Sequence, residues 1–338
     1  MQHRTMRAAV LRQIGDVEQD RLTLEERELR ALRTGEILIR VHACGVCRTD
    51  LHIVEGDLPP RLPALVPGHQ IVGSVVACGP QADIATGTRV GVSWLGGTDG
   101  TCSFCRSGRE NLCDAPTFTG YDVDGGFATF SIVRSDFAYP LPERLDDLHA
   151  APLLCAGVIG FRALRVAGVQ PGERVGLFGF GASAHLALPV LQAWGCEIYV
   201  ATRGERHRAF AARLGATWVG DALDRPPQAL DRAVTFAPSG DVAVAALASL
   251  RKGGVVAINA IHLDRMPAFD YDTLLWGERE IRSVANMTRD DARDFLALAA
   301  KIGLTPETTA FSLADVNAAL RAVKSDALDG AAVVTMDA

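Results

Sequence analysis

The chain has 338 residues, 48% of them hydrophobic, eight cysteines and a formal net charge of −6. That is enough apolar material for a sizeable core and roughly two domains. Lys and Arg are scattered among Asp and Glu, which leaves no basic stripe for nucleic-acid phosphates. Apolar runs are broken by Gly or charge before the roughly 20 residues that a membrane span needs, and no run of signal-peptide length opens the sequence. Neither a nucleic acid nor a membrane is expected as partner, and a cytoplasmic location is expected.

In chain order, the first third reads as short strands rich in β-branched residues and punctuated by Gly and Pro: "GEILIRVHAC", "QIVGSVVACG", "GTRVGVSWLG" and "FATFSIVR". This predicts a β-rich domain whose loops carry its chemistry. From about Pro171 the pattern changes to alternating strand and helix: "ERVGLFGF", "SAHLALPVLQAWG", "EIYVATR", "ERHRAFAARLGA". The strands "RAVTFAP", "GGVVAINA" and "EIRSVAN" continue it, with "SGDVAVAALASLRKGG" read as a helix between two of them. Such a series predicts a parallel, doubly wound α/β sheet. Two helical stretches, "RDDARDFLALAAKIG" and "LADVNAALRAVKS", and a strand-like "GAAVVTM" follow.

Three sites of chemistry lie on this frame. "CGVCRTDLH" supplies Cys47, Thr49, Asp50 and His52; "PGHQIVG" supplies His69; "PLLCAGVIG" supplies Cys155. Two thiolates and one imidazole from three segments are the ligand set of a catalytic zinc that keeps its fourth position open. "TDGTCSFCRSGRENLC" holds Cys102, Cys105 and Cys113, three thiolates that lack a fourth ligand. "LFGFGASAH" places Gly179, Gly181 and Ala184 in a G-x-G-x-x-A arrangement between a predicted strand and helix, the context of a dinucleotide pyrophosphate site. At the end of the next strand, where an acidic residue would accept bonds from the ribose of NAD, the chain has Thr202 and Arg203. A guanidinium suits a 2′-phosphate, so NADP is favoured over NAD, although Glu205 remains within sequence reach of a ribose and Arg203, Arg206 and Arg208 also read as a solvated loop.

Together, "GVCRTDLH", "PGHQIVG", "CSFCRSGRENLC", "PLLCAG" and "GFGASAH" resemble the zinc-dependent alcohol dehydrogenases of the medium-chain dehydrogenase/reductase superfamily, over essentially the whole chain. The resemblance implies a GroES-like catalytic domain over 1–157 with a zinc lobe at about 95–115. It implies a Rossmann domain over 158–289 and a C-terminal completion of the first domain over 290–338. It implies that Cys47, His69 and Cys155 ligate the catalytic zinc, that Asp50 bonds the ligating histidine, and that Thr49 and His52 relay a proton. Leu58 and Trp94 match positions that line the substrate cleft, where apolar side chains suit an aliphatic or aromatic aldehyde or primary alcohol better than a polyol.

The family's lobe carries four cysteines, and the place of the first is taken here by Asp99. A carboxylate is an acceptable zinc ligand, so Asp99 can close a tetrahedral structural site, giving two zincs per chain. The other reading is an empty lobe with Asp99 as a turn residue before Gly100. A second departure is Gln70, where many relatives carry Glu after the zinc histidine; the expected consequence is a more electrophilic metal and an altered pH dependence. The resemblance also implies a homodimer or homotetramer. Two alternatives stay open: a zinc-free quinone or enoyl reductase of the same superfamily, and a non-catalytic zinc protein whose thiolates sense oxidation.

Overall fold

The computed structural model describes residues 5–336 and divides them into two compact units. One gathers the chain up to Cys155 with Thr288–Ala300 and the stretch from Thr305 onward; the other is Ala156–Met287 with Lys301–Leu304.

The first unit is built on a seven-stranded sheet. Its centre is the long strand Glu36–Val46, whose burial on both faces explains the unbroken apolar run "ILI" at its start. Gln70–Cys78 pairs with it antiparallel, and so do Phe130–Arg134 and the C-terminal Ala331–Thr335. The tail therefore completes the sheet of the first unit: Ala331–Thr335 joins Glu36–Val46 on one side and Thr308–Ser312 on the other. A hairpin that the pattern did not reveal, Thr5–Leu11 with Leu22–Glu28, packs its apolar residues into the same core.

The second unit carries six parallel strands in the order Trp218–Gly220, Glu197–Ala201, Arg174–Phe178, Leu230–Thr235, Leu250–Ile258, Glu280–Ser283. This 3-2-1-4-5-6 order is that of a dinucleotide-binding Rossmann sheet, with the reversal next to the first strand, Arg174–Phe178. One expectation is corrected. The helix expected to run through "SLRKGG" ends at Ala248, and the next strand begins at Leu250. Leu250 pairs with Leu230, and the pairing then shifts register so that Val255 meets Arg232. Sheet pairing thus overrides the helical propensity of Leu, Arg and Lys.

One helical run, Asp147–Ala167, is long and apolar enough to span a membrane, contrary to the expectation from the sequence that every such run is interrupted. Its most apolar window is 72% buried, as in a core helix. Gly157 and Gly160 lie within that continuous run and do not interrupt it.

Candidate active site

Cys47 ends the central strand's excursion and caps the helix Arg48–Glu55. Its thiol sulfur accepts the N–H of Thr49 at 3.3 Å, and its own N–H donates to Asp50 Oδ2 at 2.9 Å, a reciprocal cap that fixes both side chains relative to the helix start. Asp50 and His69 are both fully buried. Asp50 Oδ1 lies 3.2 Å from His69 Nδ1 and also accepts the N–H of Gly68 at 3.2 Å. The carboxylate thus has three partners from two segments, which satisfies a charge that burial would otherwise penalise. With Nδ1 held by Asp50, His69 presents Nε2, 3.3 Å from Cys47 Sγ. Cys155 arrives from a π-helical turn, Leu153–Gly157, a local widening common at functional positions. The donor atoms of Cys47, His69 and Cys155 all lie within 4.8 Å of one another.

The electrostatics of this cluster are those of groups competing for few protons. A hydrogen bond with Cys155, together with the His69 charge, holds the Cys47 thiol well below its ordinary range against the effect of burial. The same bond, with burial, pushes Cys155 well above its own range. Burial opposes charge on His69, but Asp50 and Cys47 outweigh it and raise the imidazole to about 10. Burial raises Asp50, against the pull of His69. Two thiols and an imidazole packed this closely fit a divalent cation of intermediate softness: the set is S₂N, and the histidine's outer nitrogen is already anchored.

Thr49 and His52 sit one turn apart on the Arg48–Glu55 helix and so share a face. Thr49 is buried, whereas the His52 side chain is 37% exposed. The structure adds a partner that sequence reading missed: Asp57 Oδ2 lies 3.0 Å from His52 Nδ1. Five residues apart, the two would not meet on a continuous helix. They meet because Gly56 stops the helix in the left-handed region (φ 91°) and turns the chain back, with Gly56 and Leu58 both donating to the His52 carbonyl. The signal for it was the Glu-Gly-Asp stop itself. Trp94 meets His69 edge-on at 5.0 Å between ring centres and stacks on Phe118 at 5.0 Å. Leu58 is half-buried against the core of the first unit. Gln70 is buried at the start of its strand, against Gly45.

In the lobe, Asp99, Cys102, Cys105 and Cys113 bring one donor atom each to within 4.8 Å of one another. Asp99 is exposed, Cys102 and Cys105 are half-buried and Cys113 is buried. Asp99 Oδ1 accepts the N–H groups of Thr101 (2.7 Å) and Cys102 (2.9 Å), and these bonds hold its carboxyl well below the usual range. Outside the cluster, Glu110 is gripped by Arg289 through its side chain (Nη2 at 2.6 Å) and its backbone N–H (2.7 Å), a contact between residues 179 apart that no local pattern announces.

In the second unit, Gly179 adopts φ 88°, and a Cβ there would lie 2.8 Å from the Ala237 nitrogen, so only glycine fits the turn. A Cβ at Gly181 would meet nothing within 4 Å; the backbone there faces open space at the N-terminus of the helix Ala182–Ala193. Ala184 is fully buried. This is the cradle a pyrophosphate requires: open backbone N–H groups at a helix start. Thr202, expected to face the cofactor, is buried, and its hydroxyl oxygen accepts the N–H of Phe180 at 3.2 Å, so it braces the glycine turn. Arg208 is committed to Asp221 (2.7 Å) and Glu205 (3.0 Å). Arg203 is exposed, and no carboxylate holds it among the described residues.

Residues 33–143 match the alcohol dehydrogenase GroES-like domain. A probable alcohol dehydrogenase, AdhA, of Mycobacterium tuberculosis is 47% identical over 305 residues, covering 88% of each chain. An alcohol dehydrogenase of Geobacillus stearothermophilus is 33% identical over 98% of this chain and 100% of its own. Among solved structures, the cobalt- and zinc-bound thermostable alcohol dehydrogenase of Pyrobaculum aerophilum superposes with a TM-score of 0.86, at 24% identity, over 98% of this chain and 99% of its own. A GroES-like unit joined to a Rossmann unit, with relatives this close over this length, places the chain in the zinc-type medium-chain alcohol dehydrogenase family. It is an oxidoreductase that acts on a small-molecule alcohol or aldehyde.

Proposed function

We propose that the protein is a zinc-dependent alcohol dehydrogenase or aldehyde reductase that prefers NADP and converts primary alcohols and aldehydes, with a catalytic zinc on Cys47, His69 and Cys155 and a structural zinc on Asp99, Cys102, Cys105 and Cys113. The observation that carries it is the convergence of the three donors around a fully buried Asp50–His69 pair. When bound, the zinc supplies Lewis acidity toward a substrate oxygen, and the nicotinamide exchanges a hydride with the substrate carbon.

The remaining work belongs to the chain. Asp50 keeps the proton of His69 on Nδ1 and so keeps Nε2 turned to the metal position. Thr49 offers a hydroxyl on the same helix face as His52, and that pair carries a proton between the buried interior and solvent. Asp57 holds His52 Nδ1, which leaves Nε2 as the nitrogen that exchanges. Trp94 and Leu58 supply apolar wall, against which the hydroxyls of a polyol would lose their hydrogen bonds. Arg203 is the residue that would meet a 2′-phosphate, and what supports this is its freedom from the carboxylates that neutralise Arg208. Thr202 acts behind the glycine turn. Cytoplasmic residence and a homodimeric or homotetrameric assembly belong to the same proposal.

The test is zinc per chain by elemental analysis alongside turnover of NADPH and NADH with a panel of aldehydes. The expected result is two zincs, falling to one in Asp99→Ala, with aldehyde reduction faster on NADPH and abolished in Cys47→Ser. Turnover that survives Cys47→Ser would overturn the zinc-dependent reading, and equal or better use of NADH would overturn the cofactor preference.

A further inference from the structure

We propose that the lobe exchanges its metal through Asp99, whose carboxylate is a one-oxygen ligand on the solvent side of the site and the bond that opens when the ion enters or leaves. This rests on the reading that the lobe holds an ion at all.

Three observations point the same way. Exposure across the four donors is graded, from buried Cys113 through half-buried Cys102 and Cys105 to exposed Asp99, so an incoming ligand meets the carboxylate first. The carboxylate is also half-occupied. Oδ1 already accepts two backbone N–H groups, at 2.7 and 2.9 Å, which uses both of its lone pairs, so Oδ2 is the oxygen left to face the thiols of Cys105 and Cys113, which bond this carboxyl, or a cation held among them. Two of the sulfurs, by contrast, are held by backbone N–H groups: Cys113 Sγ accepts those of Asp99 and Ala115 at 3.4 Å each, and Cys102 Sγ accepts that of Cys105 at 3.5 Å. A borderline-soft ion also holds thiolate more tightly than a single carboxylate oxygen.

The lobe does not have to unfold for this to happen. Arg289 grips Glu110 near its far end, and Arg134 donates to the Thr98 carbonyl at its near end, at 3.0 Å. Both ends stay tied down by contacts that involve no metal donor atom. Exchange is then a ligand substitution with no change of oxidation state. An ion held there would keep its three thiolates while an incoming thiolate or aminocarboxylate took the place of the Asp99 carboxylate, and Asp99 would remain an anion held by its two N–H donors.

The experiment uses the zinc-loaded full chain as wild type, Asp99→Cys and Asp99→Asn. Each is challenged with excess EDTA, and bound zinc is measured by elemental analysis at intervals after rapid desalting. The expected result is that Asp99→Cys slows the loss of one of the two zincs by about tenfold or more, the scale on which even outer-shell partners alter metal affinity, while Asp99→Asn hastens the loss of that same zinc and the other zinc leaves at an unchanged rate. Cobalt-loaded protein gives a second readout: sulfur-to-cobalt charge-transfer absorption should rise in Asp99→Cys, as a fourth thiolate joins, and stay at the wild-type level in Asp99→Asn. Equal loss rates in all three proteins would overturn exchange through Asp99. A wild type that holds one zinc per chain from the outset would instead overturn the two-zinc reading beneath it.

Discussion

The Cys47–His69–Cys155 cluster and the Cys102–Cys105–Cys113 cluster use similar donors and are held in opposite ways. Around His69, buried Asp50 fixes the imidazole and the Cys47 cap together, so protein hydrogen bonds alone organise the donors. In the lobe the carboxylate among the donors, Asp99, is exposed, and the buried side chain of Thr98 bonds Cys105. The lobe's cysteines are arranged by short-range N–H···S contacts and by the turn at Asp99, and its anchorage lies at the two ends. A reactive site needs donors in place before the ion arrives, because the open fourth position must not be filled by collapse. A lobe with little core of its own can leave that organisation to the metal.

The largest effect should come from removing what sets the first cluster apart. Asp50→Ala leaves His69 Nδ1 and two backbone N–H groups buried without their acceptor. The expected cost is about 3–5 kcal/mol of stability, by the usual penalty for breaking a buried charged network, and a fall in metal affinity of at least about tenfold. Chemical denaturation and zinc content check both. If the variant kept its zinc and its stability, the claim that Asp50 preorganises the cluster would fail.

The lobe's anchorage should give a smaller, pH-dependent effect. Arg289→Ala should cost about 1.5–3 kcal/mol, the range for hydrogen bonds to charged groups, read from denaturation. Although burial raises it, Arg289 holds the Glu110 carboxyl below its ordinary range. Its contribution is therefore complete above the unfolded value of about 4.3 and is lost as pH falls through the lower folded value. The stability gap between wild type and Glu110→Gln should be widest near neutrality and should close in acid. A gap that grew in acid would contradict the assignment.

The smallest effect is expected at Gln70. Gln70→Glu puts a carboxylate beside His69 in a buried position, yet His69 keeps Asp50 and all three donors remain, so turnover should change by less than about tenfold. A loss as large as that of Asp50→Ala would show that the first cluster depends on Gln70 as much as on its own carboxylate.

Much of this was written in short stretches of sequence. The Gly-x-Gly-x-x-Ala turn between strand and helix, the Thr-Asp-x-His helix start and the cysteine spacing of the lobe are local patterns. Their physics is set within a few residues, by a left-handed glycine, a capping side chain or an α-helical period. They marked the strand-to-helix turn of the second unit and the candidate donors Cys102, Cys105 and Cys113 of the lobe. Tertiary structure decided what local rules cannot reach. Thr202 turned inward because the Phe180 N–H at the glycine turn needed an acceptor. The strand from Leu250 took residues that propensity assigned to a helix, because a neighbouring strand lay ready to pair. Asp57 reached His52 only once Gly56 had reversed the chain. Arg289 reached Glu110 across 179 residues because the C-terminal segment returns to the first sheet, a closure that depends on which strand edge is left unpaired.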